Sequence, residues 1–499
     1  MLSPGYDLPV HHRMSDLLET IAERRAVVSA AIEGRGRKKL EEVMTTMIVT
    51  EDGIGELVVD KTSSYFLVYN QDTEEFKRLE SYTDEVERIK YVPPPRKSGI
   101  TSLVLFPTRT EEYESEDALL REIQAFIYKW ADVDDLYRKL ASFYVLFTWV
   151  YDEFREVPYL RIIADLGSGK SRLGIDVLGR IVYKPIRTIA VSSMSALFRT
   201  IHMVRGTLVL DEADLGENSD KTADMVQLLN SGYKSDIPVM RVEKVKGTNS
   251  FMPEAFNVFG PKIIMSREQM KDHALESRCL PISMRETSRK DIPLMVTDDL
   301  IHESEVLRNK LLLWRFRNFG KKMKDIDPIF AQMKIMSRTK QLLSILSSVV
   351  SSDATKQELV QYANELWEEL QAMRGTTVEA EICAAMRALI NGGKKQSEYF
   401  FTTQAIIDRV NMLRPQGSDG RKPVTMVWGG RLIKSIFITK AARSGGGTDG
   451  VRGITITHDE LLRVFTRFDV HAPQLHEQTE MLTVPDGMDP FEYADSLMH

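Results

Sequence analysis

The stretch RIIADLGSGKSRLGIDVLGRI, Arg161 to Ile181, decides how the rest of the chain is read. It opens on an apolar run, passes through ADLGSGKS at Ala164 to Ser171, and continues with apolar residues at helical spacing. Strand, glycine-bearing loop and helix in that order make a cradle for phosphates. Gly167 and Gly169 let backbone N–H groups curl around an anion, and the helix that follows turns its N-terminus towards it. Lys170 is placed to meet the β- and γ-phosphates of ATP, and Ser171 to set a hydroxyl on Mg²⁺. The expected nucleotide-binding residues are therefore Ala164, Asp165, Leu166, Gly167, Ser168, Gly169, Lys170, Ser171 and Arg172. Ala164 stands where such loops usually open on glycine. A glycine loop can also merely turn a corner, so a second element is needed.

That element is GTLVLDEAD, Gly206 to Asp214, which stays apolar until Asp211 and Glu212 at the end of a predicted central strand. Asp211 would hold Mg²⁺ through water and Glu212 would polarise the attacking water. A catalytic Glu directly after the Mg²⁺ Asp, with a further strand between the phosphate-loop strand and the acidic strand, is the pattern of ring-forming ATPases. PKIIMS, Pro261 to Ser266, ends in a polar side chain placed to contact the γ-phosphate or the lytic water. ALESRCLPISM, Ala274 to Met284, puts Arg278 just before the last strand, where an arginine finger reaches a neighbouring subunit's site. Arg267 competes for that role, and a surface salt bridge is the plainer reading of Arg278.

With these residues assembled, the chain resembles the AAA+ class of ring-forming ATPases, and within it the helicase-like ATPases of phages, plasmids and integrated elements, related in layout to superfamily 3 helicases. PYLRIIADLGSGKSR, SSMSALFRTIHMVRGTLVLDEADL, LLNSGYKSDIPVMRVE, FNVFGPKIIMSRE and DHALESRCLPISM carry the resemblance, over roughly Tyr159 to Met284. Departures are Ala164, and Ser266 where many relatives carry Asn. The resemblance implies that DIPVMRVEKVKGTNSFMPEAFNVFG, Asp236 to Gly260, is a hairpin pointing into a ring's central channel. Lys244 and Lys246 near its tip would then grip the phosphates of a single DNA strand. An ordinary solvated hairpin is the alternative. A hexamer follows if Arg278 completes a neighbour's site. No primase-like cluster is seen in the N-terminal hundred-odd residues. A sensor 2 residue is not singled out among Arg308, Arg315 and Arg317, which share one predicted helix.

Further out, the pattern divides the 499 residues into an α/β P-loop core with a parallel sheet and several satellites. Expected are an N-terminal α+β module at 1–98, a helical connector at 99–150, the ATPase core at 151–292, a helical region at 293–394, a winged helix at 395–470 and an acidic flexible tail at 471–499. The first begins helical, turns to the alternating runs TTMIVT, GELVVD and SSYFLVYN, and closes at the proline-rich linker YVPPPRKSG. The winged helix is read from FTTQAIIDRVNML and VTMVWGGRLIKSIF, followed by two strands around the glycine-rich SGGGTDG. Arg431 and Lys434 lie on its candidate recognition helix, and Lys440, Arg443 and Arg452 flank the wing, where duplex DNA could bind. Such modules also bind proteins.

A net charge of −6 excludes a uniformly basic coat but not a local basic surface. There is no run of eighteen apolar residues and no apolar leader at the N-terminus, so a cytoplasmic protein without a membrane anchor is expected. Cys279 and Cys383 have no metal-ligand spacing. The reading is an ATP-driven DNA helicase or translocase serving replication of a mobile element. The rival is an ATP-switched assembly or remodelling protein that unwinds nothing. A DNA-binding regulator with a degenerate ATPase is a third reading, against which the Asp211–Glu212 pair speaks.

Overall fold

The computed structural model describes residues 40–471 except 86, 166, 188–192, 212–219, 245–250, 268–269, 271, 321–326, 334, 376–377, 414–422, 445–450 and 469. The chain divides into two compact units, Met1–Asn364 and Glu365–His499.

The first unit begins with two small sheets. β1 (Glu41–Met44), β6 (Tyr82–Asp84) and β7 (Ile89–Val92) form one, in the order β1-β7-β6. β2 (Met47–Thr50), β3 (Gly53–Val59), β4 (Ser64–Asn70) and β5 (Glu75–Leu79) form an antiparallel meander. The expected alternating runs are thus strands, and the helical start expected before them lies outside the described residues. The proline-rich linker segment is pinned to this sheet. Ser64 Oγ donates to the Pro94 carbonyl at 2.5 Å and Arg96 Nε to the Asp60 carbonyl at 2.9 Å. The N-terminal sheets and the core lie in the same compact unit.

Two helices follow, Glu116–Trp130 and Asp135–Thr148. The first is capped by Ser115, whose side chain accepts from the Ala118 N–H, and it carries Glu116 and Asp117 in its first turn and Lys129 in its last. That arrangement suits the helix dipole.

The core sheet contains β8 (Tyr159–Ile163), β9 (Ile186–Arg187), β10 (Leu208–Leu210), β13 (Lys262–Ser266) and β14 (Cys279–Ser283). All its pairings are parallel, in the order β14-β8-β13-β10-β9. β8, β10, β13 and β14 lie in the apolar runs of PYLRIIAD, GTLVLDEAD, PKIIMS and CLPISM. Such runs without alternation are what a strand covered on both faces requires. β13 lies between β8 and β10, so a strand separates the phosphate-loop strand from the acidic one. Helix Asp298–Asn318 opens the expected helical region, with Thr297 accepting from the Leu300 N–H as its cap.

The second unit takes in helix Val378–Ile390, β15 (Glu398–Phe401), helices Thr403–Leu413 and Met426–Ile436, β16 (Lys440–Ser444), β17 (Val451–Thr457) and helix His458–Arg467. The strands pair antiparallel in the order β15-β17-β16. Helix Val378–Ile390 packs with the later elements of this unit, since Ile382, Cys383 and Met386 share a buried core with Ile406, Val410 and Ile456. β15 was not foreseen, since EYFF is only four residues long and alternates exposed and buried. Among the described residues no helix is long and apolar enough to cross a membrane.

Candidate nucleotide site

β8 delivers the chain into the loop at Ala164, whose N–H donates to the Ser266 carbonyl at 3.3 Å. Gly167 and Gly169 have φ of +85° and +84°. Neither would meet a close neighbour through an added Cβ, so backbone conformation, not space, demands glycine there. Between them, the Asp165 carbonyl accepts from both the Ser168 N–H at 3.3 Å and its hydroxyl at 2.8 Å. Lys170 is buried, at 6% exposure. The helix that follows is wound as a π-helix over Arg172–Leu178 and tightens at Gly179–Ile181. It seats closely on β13, because a Cβ on Gly174 would lie 2.3 Å from the Met265 sulfur.

Asp211 sits directly after β10, and the Ser171 hydroxyl donates to its two carboxylate oxygens at 3.1 and 3.2 Å. A hydroxyl and a carboxylate brought together beside a buried lysine are hard donors suited to Mg²⁺ and a polyphosphate. The residues present therefore fit a Mg²⁺–nucleotide. Ser266 ends β13 next to the loop and is buried at 4% exposure. Glu212 and Leu166 lie outside the described residues.

Arg172 was expected to touch nucleotide. Its Nε donates to the Trp130 carbonyl at 3.2 Å, and its Nη2 to the Pro293 carbonyl at 3.1 Å. It fastens the phosphate-loop helix to its neighbours. Arg278 precedes β14 as expected, with its guanidinium 5.0 Å from the Tyr233 ring and hydrogen-bonded to the Asn230 side chain. Arg267 is exposed.

The three sensor 2 candidates are each held elsewhere. Arg308 donates to the Arg180 carbonyl at 2.7 Å, and Arg317 grips both Glu112 oxygens at 2.9 Å. Arg315 is fully buried against Glu56 and Asp152. The sequence reading passed over Arg161 and Glu276, which pair beneath the site. The available signal was a charged residue inside the apolar run YLRII.

The expected hairpin is there: β11 (Val239–Lys244) pairs antiparallel with β12 (Phe251–Phe256). Lys246 lies outside the described residues, and of Lys244 only the backbone is described, at the end of β11. One hairpin face rests on the core through Arg241, which stacks 4.5 Å from the Phe198 ring and bridges to Asp224 at 2.8 Å. On the strands, Met240, Val242 and Phe251 are 55%, 68% and 65% exposed, an apolar display the lysine-centred reading did not anticipate.

At the hairpin base, the Asn257 N–H donates to His202 Nδ1 at 2.9 Å. Burial, then the nearby Arg205 charge, pushes the imidazole down from 6.5 to about 4. Its contribution to stability is therefore complete above pH 6.5 and is lost as pH falls towards 4. Between pH 8 and pH 5 the protein should lose about 2 kcal/mol through this group, and His202→Gln, which keeps an acceptor but cannot titrate, should not. Urea midpoints at the two pH values check this. Equal losses in both proteins would contradict it.

In the second unit Lys434 is exposed on helix Met426–Ile436. Arg431 shares that helix, while Arg443 on β16 and Arg452 on β17 are directly opposite in register. Only the backbone of these three arginines is described.

No family model and no curated protein matches the chain. Among solved structures, the A form apo structure of the NrS-1 C-terminal region is 12% identical, at TM-score 0.35, covering 81% of this chain and 96% of that one. The SCCmec type IV Cch active helicase is 10% identical, at TM-score 0.40, covering 89% and 84%. The X-ray structure of JCV helicase is 12% identical, at TM-score 0.25, covering 54% and 65%. At such scores the likenesses decide neither fold nor activity.

Proposed function

We propose that the chain is an ATP-dependent DNA helicase or translocase of the AAA+ type, working as a homo-oligomeric ring, with a hexamer the expected form, in replication of a mobile element. The observation that carries this reading is the Ser171–Asp211 contact beside buried Lys170, beneath a glycine-turned loop and across an inserted strand. Mg²⁺ would supply charge neutralisation and orientation to the nucleotide phosphates. Lys170 would bind the phosphates, Ser171 and Asp211 would hold the metal, and Ser266 would contact the γ-phosphate or the water. Glu212 would take up the proton of the attacking water. Arg278 would complete the neighbour's site.

Lys244 and Lys246 on the hairpin would follow the phosphates of one strand, a grip that needs charge and no sequence readout. The second unit reads as a winged helix: its order is helix, strand, two helices, then a hairpin. Lys434 and Arg431, with Arg443 and Arg452 at the wing, would meet duplex phosphates.

ATP turnover with and without single-stranded DNA tests the reading. DNA should raise turnover at least about fivefold, and Lys246→Ala should remove the stimulation while leaving DNA-independent turnover in place. Turnover indifferent to DNA would favour the remodelling protein instead.

A further inference from the structure

Arg161 lies at the middle of β8, the strand that runs into the phosphate loop, and its side chain is wholly buried. Its Nη1 donates to Glu276 Oε2, on the short helix His273–Glu276. Among the described residues its Nε and Nη2 have no hydrogen-bond partner. Leaving two nitrogens of a buried cation unpaired is costly, and an apolar side chain would fill the same space at less expense. Whatever this pair does, packing alone does not do it.

The pair fixes a segment. The same Glu276 oxygen accepts the Met270 N–H at 3.2 Å, closing the chain ahead of the helix. The Arg278 N–H donates to the Leu275 carbonyl at 3.0 Å, and the Arg278 carbonyl accepts from the Tyr159 N–H at 3.0 Å. Arg278 is therefore registered on β8 through its backbone. Two residues earlier, Glu276 is registered on the same strand through its side chain. The ion pair adds a side-chain tie to the register of β14 on β8, while the Arg278 guanidinium is itself held by Asn230 and Tyr233.

We infer that Arg161 is a positioning residue for Arg278: through Glu276 it ties the segment carrying Arg278 to the strand carrying the phosphate loop. This rests on the reading of Arg278 as the residue that completes the neighbouring subunit's site. It deepens that reading into a coupling within one subunit. The strand that carries a subunit's own phosphate loop would also aim the arginine that the subunit presents to the next one.

The test mixes full-length variants. Arg161→Met should lower turnover on the order of 100-fold, as expected for a catalytic group displaced by about 1 Å, while binding of a fluorescent ATP analogue stays within about threefold of wild type. Mixing it with Lys170→Ala subunits, dead in their own site but with Arg278 correctly held, should restore turnover. At equal amounts the restored rate should approach about a quarter of wild type, the share of interfaces pairing a live site with an intact neighbour. Arg278→Ala mixed with Lys170→Ala is the reference. Rescue of Arg278→Ala but not of Arg161→Met overturns the positioning role alone. Rescue of neither overturns the reading of Arg278 itself. If Arg161→Met does not fold, Arg161→Met/Glu276→Leu removes both charges at similar volume and is read in the same mixture.

Discussion

Lys170→Ala should abolish the protein's nucleotide chemistry, lowering ATP turnover by about 100- to 1000-fold. The argument is local. Lys170 is buried at 6% exposure, directly before Ser171, in a loop whose two glycines have φ near +85°. A buried ammonium in a loop turned by two such glycines has one evident use, which is to oppose concentrated negative charge. Asp211→Asn separates the two halves of the site. It keeps an acceptor for the Ser171 hydroxyl but removes the charge a divalent metal needs. Nucleotide affinity of the wild type should therefore fall when Mg²⁺ is withdrawn, whereas that of Asp211→Asn should already be low and indifferent to it. Fluorescent-nucleotide titrations with and without Mg²⁺ measure both. Lys170→Ala turning over ATP within about threefold of wild type would remove the phosphate-loop assignment.

What the sequence disclosed and what it hid follow from the range of the interactions. The loop and the acidic strand are read from contiguous residues, because their chemistry depends on local backbone geometry and on the ends of adjacent strands. Arg161 and Glu276 are 115 positions apart, and no local pattern connects them. The same holds for Glu56. Within GELVVD it reads as the solvent side of a strand, yet it is 1% exposed, compensated by residues 128 and 259 positions away. β15 was too short to read. The sensor 2 question failed for a further reason: three arginines on one helix are equivalent in sequence, and only tertiary partners separate them.

Glu56→Gln should cost about 3–5 kcal/mol of stability, far more than any single exposed ion pair. Glu56 on β3 accepts from Lys184 Nζ at 2.8 Å, Arg315 Nε at 2.7 Å and the Tyr183 hydroxyl at 2.8 Å. Arg315 reaches on to Asp152 at 2.7 Å, and Lys184 to the Thr46 carbonyl at 3.0 Å. Two carboxylates thus face two cations, with Glu56, Lys184 and Arg315 all nearly free of solvent contact. Burial lowers the Lys184 ammonium's pKa from its usual range against the pull of Glu56, while Arg315, despite its burial, is held above its usual range by Asp152, Tyr183 and Glu56. Glutamine preserves shape and an acceptor for Tyr183, so the substitution reads charge alone. It leaves two buried cations facing Asp152 only, an imbalance that water cannot reach to screen. The exposed pair Lys77–Asp52, at 62% and 46% side-chain exposure, supplies the contrast: Asp52→Asn should shift stability by less than about 0.5 kcal/mol, and that shift should vanish in high salt. Tyr183 and Lys184 follow the phosphate-loop helix after Val182, so the network fastens the N-terminal sheet to the element that begins at Arg172. Urea unfolding of both variants, read beside limited proteolysis of the segment at 92–98, should show Glu56→Gln alone opening at that segment. A Glu56→Gln midpoint within about 1 kcal/mol of wild type would mean that the N-terminal sheet is held by its apolar contacts and the four charges are carried without benefit to stability.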